Sequence, residues 1–296
     1  MKKLCRYLFA TFLLSNGALG QVGDLTQSPW RLRGTDSGGQ SWYADLVFLT
    51  QMPSGPDWIV TGHFDWVDDP VQPTQWGQEQ FTGMVASLGA LSLSGTTVVD
   101  HPTFGPATFT ATSTYGGEVV SPGDGIVGWW PGTGPPPPPP GGFFAAAKGP
   151  APPVSGVTAQ PWLGDGLQFV QVSAPIDFSA SLSFDGQTAM GNMWLVTGYI
   201  DWVDAQVTHY GRELFDGTVT ADGLLTLTGG TLQPHPTHCG PTGIGPGSYF
   251  GFLVGAGNQI VGGWSSGTFV VEGGPTWPGN PFVLEVVVPV ATTISP

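Results

Sequence analysis

Two glutamates carry the first suggestion of chemistry. Glu79 and Glu213 hold the same place in a recurring pattern, Gly77-x-Glu79-x-Phe81-x-Gly83-x-Val85 and Gly211-x-Glu213-x-Phe215-x-Gly217-x-Val219. Successive strand residues point to opposite faces. Each glutamate therefore shares a face with a phenylalanine and a valine, which is the core face. A buried carboxylate is costly unless paired or hydrogen-bonded, and no Arg or Lys recurs at a matching position. Two roles follow. The carboxylate can bond an indole N–H, a hydroxyl or backbone amides and serve the structure. Or it can anchor the polar group of a small apolar or amphipathic ligand at a cavity mouth, with Trp66, Trp202, Phe81 and Phe215 as lining. An enzymatic role on carbohydrate would need a second carboxyl about 5–10 Å away. Each half of the chain offers one core-facing acid and no evident second.

The other polar sets are weaker. Asp65-Trp-Val-Asp68 and Asp201-Trp-Val-Asp204 place two acids at a strand end. Clustered turn oxygens can hold calcium, but no EF-hand spacing is present. Solvated turn caps are the expectation, because Asp is a common turn residue. His101-Pro-Thr103 and His235-Pro-Thr237 recur as loop motifs. His235, His238 and Cys239 invite a zinc reading, but zinc wants four ligands and Phe104 stands where the second copy has His238. No nucleophile elbow, His-Glu-x-x-His or phosphate loop appears. No catalytic residue, metal or cofactor is assigned. Of the twelve tryptophans, Trp66, Trp202, Trp130 and Trp264 recur at core positions. Trp76, Trp129 and Trp277 do not recur and are the candidates for exposure and sugar stacking.

The elements that position these residues follow from self-similarity. Trp58-Ile-Val-Thr-Gly-His-Phe-Asp-Trp-Val-Asp68 returns as Trp194-Leu-Val-Thr-Gly-Tyr-Ile-Asp-Trp-Val-Asp204. Leu91-x-Leu93-x-Gly95-x-Thr97 and Ile126-Val-Gly-x-Trp130 return as Leu225-x-Leu227-x-Gly229-x-Thr231 and Ile260-Val-Gly-x-Trp264. Each half therefore reads as one domain of a duplication.

Period-two alternation between Gly, Pro, Asp and Asn turns predicts eight strands in the first half. They are Trp30–Gly34, Trp42–Thr50, Trp58–Val67, Gln78–Ala86, Leu91–Val98, Ala107–Thr114, Gly125–Trp130 and Phe143–Lys148. The second half gives Leu167–Ser173, Phe178–Phe184, Trp194–Val203, Arg212–Thr220, Leu224–Leu232, Ser248–Val254, Gln259–Trp264 and Phe282–Val288, with Thr268–Glu272 unplaced. Trp58, Val60, Gly62, Phe64 and Trp66 face the core, as do Leu91, Leu93, Gly95 and Thr97, with a free outer face opposite. One glycine per core-facing strand suits the bends of a small closed barrel. The fold class is all-β, two tandem antiparallel up-and-down barrels of about eight strands each, with β-sandwiches as the alternative.

Met1–Gly20 reads as a secretory signal peptide, basic then apolar, cut near Gly20. Residues 21–149 form the first barrel repeat with a Pro-rich loop at 131–142, residues 150–160 the linker, and residues 161–296 the second repeat. Beyond the leader, four bases, Arg31, Arg33, Lys148 and Arg212, face 21 acids. That balance excludes a basic patch for nucleic acid. No stretch is long enough for an apolar membrane helix. Cys239 is the one cysteine beyond the leader, so no intrachain disulfide forms there, and an inert buried thiol is expected.

The order Trp30-Arg-Leu-Arg-Gly34, Gly62-x-Phe64-x-Trp66, the Glu79 strand, Leu91-x-Leu93-x-Gly95 and Gly128-x-Trp130 resembles lipocalin-type (calycin-like) small barrels of secreted bacterial proteins. The resemblance implies a ligand cavity, although a barrel of this size can equally be filled by its own side chains. The second repeat lacks a clean Trp-x-x-x-Gly opening in its predicted first strand, Leu167–Ser173, and the family's usual disulfide is absent. The sequence favours a secreted, non-enzymatic tandem barrel that binds a small molecule. A structural surface module with filled barrels, and a carbohydrate-active enzyme, are the alternatives.

Overall fold

β-Branched and aromatic residues alternating with small or polar ones suit a pleated surface buried on one side. A computed structural model of the chain describes residues 22–36, 40–120, 123–131, 140–149, 162–168, 176–238, 245–254, 259–266 and 280–286. These residues form two closed antiparallel barrels of eight strands each. The first contains β1 (Trp30–Asp36), β2 (Ser41–Ser54), β3 (Asp57–Val67), β4 (Trp76–Val85), β5 (Ala90–Val99), β6 (Thr114–Val120), β7 (Gly125–Pro131) and β8 (Pro140–Lys148). Each strand pairs with the next, and β8 closes on β1 from Trp30↔Lys148 to Asp36↔Gly142. The second contains β9 (Trp162–Gln168), β10 (Ile176–Met190), β11 (Met193–Asp204), β12 (Tyr210–Thr220), β13 (Leu224–Gln233), β14 (Gly247–Val254), β15 (Gln259–Ser266) and β16 (Asn280–Val286). It closes where β16 pairs with β9.

Three sequence readings are corrected. The first strand of the second half is Trp162–Gln168, not Leu167–Ser173, and its Trp162-Leu-Gly-Asp-Gly166 supplies the Trp-x-x-x-Gly opening that the second repeat was read as lacking. The sixth strand is Thr114–Val120, not Ala107–Thr114. Residues 107–113 alternate like a strand, but they cross the barrel end. Thr108 bonds the Trp76 backbone, and the Phe109 ring sits 6.3 Å from Trp42. The face of Thr97 is also different. The register shifts so that Phe81 pairs Gly95 while Gln80 pairs Thr97, and Thr97 is exposed. The second barrel shifts at the same place, between Glu213 and Phe215 of β12, and Thr231 is exposed. The leader 1–20, the linker 150–160, Thr268–Glu272, Cys239 and Trp277 lie outside the described residues.

Aromatic rings occupy the first barrel from end to end. Contacts run from Trp30 to Phe48, Phe81, Phe64, Trp66, Trp42 and Phe109, with ring centroids 5.0–6.4 Å apart. One end is closed by Val22 and Leu25, whose carbonyl accepts the Trp30 indole N–H. The other is covered by Phe109 and Trp130. Each fully buried ring contributes on the order of 1.5–3 kcal/mol to the barrel. In the second barrel Phe184, Ile200, Trp202, Phe215, Tyr249 and Trp264 belong to the corresponding core.

The outer faces are not all free. Val120, Ala145 and Ala147 of the first barrel pack against Phe250, Phe252, Val254 and Val261 of the second. In β8 the residues alternate between two cores: Phe144 and Ala146 face the first barrel's interior, and Ala145 and Ala147 face the second barrel. The approach is close enough that a Cβ on Gly125 would meet Val261 at 2.9 Å. Arg31 and Arg33 flank the contact. Arg31 ion-pairs with Asp222 at 2.7 Å and lies over Phe252. Arg33 lies between the rings of Tyr43 and Phe250 and donates to Thr226 Oγ1 at 2.9 Å.

Candidate functional site

Glu79 points inward because β4 alternates cleanly around it, with Gln78 and Gln80 on the outer face. It pairs with Phe64 across β3 and with Val98 across the bulged β5. Its side chain is 2% exposed. Oε1 accepts the Ser113 backbone N–H at 2.6 Å. Oε2 accepts the Tyr115 hydroxyl, and the Trp66 side chain is a further donor. Glu213 has the same setting. Its Oε1 accepts the Gly247 N–H at 2.6 Å and its Oε2 the Tyr249 hydroxyl. Trp66 stacks on Tyr115 and Trp202 on Tyr249, each with centroids 6.2 Å apart.

The glycine of the neighbouring strand explains how a carboxylate fits. A Cβ on Gly95 would strike Glu79 Oε1, and one on Gly229 would fall inside the Glu213 carboxylate. The register shift lies between these glycines and the glutamates' rungs. A bulge beside a polar site is a device for re-aiming the chain. Here it opens the space that the carboxylate fills.

Burial pushes both carboxyls up, and the bonds from tyrosine and backbone amide only partly offset it. Glu213 is pushed up to about 7. Burial, and then the neighbouring glutamate, hold Tyr115 and Tyr249 well above the ordinary phenol value. Each site is thus a carboxyl–phenol pair in which burial favours the neutral carboxyl while the tyrosine and amide donors favour the charged one. It resembles a core polar network more than a reacting acid: the described partners of each glutamate are a tyrosine and an amide, joined at Glu79 by an indole, none of them a second carboxylate.

The structure brings Glu79, Trp66 and Tyr115 together, and likewise Glu213, Trp202 and Tyr249. Phe81 and Phe215 sit deeper. Phe81 contacts Phe64 and Phe48, and Phe215 contacts Phe184. The sequence reading missed the tyrosines and the Ser113 and Gly247 amides. A signal was present: Tyr115 and Tyr249 recur at the same spacing as the glutamates, each two residues before a glycine. Placing the sixth strand too early hid it.

The paired aspartates serve turns and strands. Asp68 accepts the Thr74 and Gln75 amides, and Asp204 accepts those of Thr208 and His209. The first barrel's turn is two residues longer, which accounts for the change of spacing between the copies. Asp204 is not solvated, as a turn cap was expected to be. It is 1% exposed and lies 3.0 Å from His209 Nδ1. Burial pushes its carboxyl up, but the bonds from Thr208 and His209 outweigh burial and hold it well below the usual range. Asp201 forms a two-pronged pair with Arg212 at 2.7 Å, where Asp65 accepts from Gln78 instead. His101 Nδ1 accepts the Thr103 amide of its own turn. Among the described residues no three His, Cys, Asp or Glu side chains group as metal ligands, and no helix is long and apolar enough to cross a membrane. Trp76 and Trp129 are half-buried. Trp76 donates to the Pro106 carbonyl, and the Trp129 ring covers Gly116.

No protein-family model, curated protein or solved structure matches this chain.

Proposed function

We propose that the chain is a secreted, non-enzymatic module of two lipocalin-like barrels, filled by their own side chains and acting through their outer surface. The observation that carries this reading is the state of the two glutamates. Both oxygens of each accept bonds from inside the barrel, and in the first barrel ring contacts continue from Trp66 through Trp42 to Phe109 at the barrel's end. A ligand anchored there would have to displace a tyrosine and a backbone amide. Each buried group it left unsatisfied would cost about 1–3 kcal/mol. The basic and apolar start of the sequence supports secretion. The contact between the barrels supports one body in place of two tethered beads.

Native mass spectrometry of the secreted chain, with titration of tryptophan emission by apolar probes, tests the reading. The expected result is the mass of the chain alone and no saturable quenching. A co-purified small molecule, with saturable quenching weakened in Glu79→Gln, would restore ligand binding as the function.

A further inference from the structure

Two of the four bases beyond the leader, Arg31 and Arg33, stand on the outer face of β1 and reach across the seam to the second barrel. The duplication shows that they are particular to this seam. Arg31 and Arg33 lie opposite Asp45 and Tyr43 of β2. The matching places of β9, opposite Ser181 and Ser179 of β10, hold Leu163 and Asp165. The far side is particular too. Thr226, Phe250 and Phe252 stand where the first barrel has Ser92, Gly116 and Glu118.

The seam leaves these cations short of acceptors. Arg31 Nε donates to the Gly149 carbonyl at 3.2 Å, and its Nη1 to Asp222. Its Nη2 is buried with no hydrogen-bond partner among the described residues, and so is Nε of Arg33. Arg33 Nη1 donates to Thr226 Oγ1, which keeps its own hydrogen to donate. The Tyr43 and Phe250 rings cover the Arg33 guanidinium. Rings attract a cation through their faces, but guanidinium N–H donors lie in a planar fork that suits oxygens. Burial lowers the Arg33 guanidinium from its ordinary value, and no carboxylate among the described residues offsets it. A buried charge is costly unless it is paired and hydrogen-bonded.

We propose that the seam between the barrels binds a small carboxylate, held by Arg31, Arg33 and the Thr226 hydroxyl, with its hydrocarbon part against Phe250 and Phe252. The guanidinium fork matches a carboxylate. The formal net charge of −14 opposes a polyanion, so a monoanion with an apolar body suits the site. Entry is from the edge at Arg31, whose side chain is 26% exposed. Asp222 stands at the same edge but is 59% exposed, so solvent weakens its repulsion. The site lies outside both interiors. It goes beyond the filled-barrel reading and does not depend on it.

Benzoate is the probe. The chain beyond the leader holds three arginines, Arg31, Arg33 and Arg212, and a ¹H–¹⁵N spectrum of the secreted chain reads each Nε–H. At constant ionic strength, benzoate should shift the Arg33 signal saturably, with Kd on the order of 1 mM. Arg212, paired with Asp201, should not move. Thr226→Val should weaken binding several-fold. Arg33→Met should abolish the benzoate response at Arg31, with an unfolding midpoint close to the parent's. Glu79→Gln should bind benzoate as the parent does, which separates this site from one inside the first barrel. An Arg33 signal that benzoate leaves in place, as a seam holding only water would give, overturns the proposal. So does equal movement of all three signals, or a response that inorganic phosphate reproduces at the same concentration.

Discussion

Inside, the two barrels solve one problem in the same way; outside, their faces have diverged. Glu79 and Glu213 share a tyrosine, a backbone amide, a stacked tryptophan and a glycine gap. The positions between them have diverged. Phe64 becomes Ile200, the Gln78–Asp65 bond becomes the Arg212–Asp201 pair, and Gly116 and Glu118 become Phe250 and Phe252. The polar site permits little change because a carboxyl in a closed core must keep every partner, while the apolar core around it varies, as Phe64 and Ile200 show. The outer faces answer only to what covers them.

That contrast can be broken most forcefully at the glycines. Gly229→Ala puts a methyl into the Glu213 carboxylate, and the fit is tighter there than at Gly95. Thermal and denaturant unfolding should show a loss at or above the ~3 kcal/mol upper end of overpacking. Gly95→Ala should cost somewhat less. Equal tolerance of both alanines would mean that the gap is not specific to the carboxylates.

A pH profile comes next. Glu213 has a folded value of about 7 against an ordinary 4.5, so the folded state holds a proton that the unfolded chain releases. Its contribution is fully present below about pH 4.5 and lost as pH rises through 7, about 3 kcal/mol in all. Asp204 acts in the opposite sense. Its depressed value contributes stability above about pH 4 that is lost as pH falls further. Stability should therefore peak near pH 4–5, and Glu213→Gln should flatten the decline towards 7. A profile rising from pH 5 to 7 would contradict this account of the pair.

Removing the hydroxyl partner is a smaller change. Tyr249→Phe should cost about 1–3 kcal/mol by leaving Glu213 short of a donor. Adding Glu213→Leu should recover little of that loss, because the buried Gly247 N–H then loses its acceptor. The smallest effect belongs to the contact between the barrels. Arg31 and Asp222 pair at an exposed edge, so Arg31→Ala should cost at most about 1 kcal/mol. Most of that would reflect lost packing on Phe252.

Much of this was legible in the sequence, for a physical reason. Strand alternation fixes faces, so the inward glutamates, the core tryptophans and the eight-strand closure followed from residue type and spacing. The bulge after Gly95 was not legible. An extra residue changes the register without changing the pattern of side chains, and Thr97 was assigned to the wrong face. Residues 107–113 alternate like a strand while plugging a barrel end, which displaced β6 and concealed Tyr115. Ala145 and Ala147 gave no sign of an interface, since small residues signal close approach only once their neighbour is known.

The central claim is that these glutamates are closed into the barrels and pushed above the ordinary carboxyl range by burial. A ¹³C NMR titration of the glutamate side-chain carboxyls in the secreted chain tests it directly, with Glu79→Gln and Glu213→Gln for assignment. The account predicts that Glu213 titrates with a midpoint near 7 and Glu79 above the ordinary value. Titration of both near the usual ~4.3 of a solvated glutamate would contradict it.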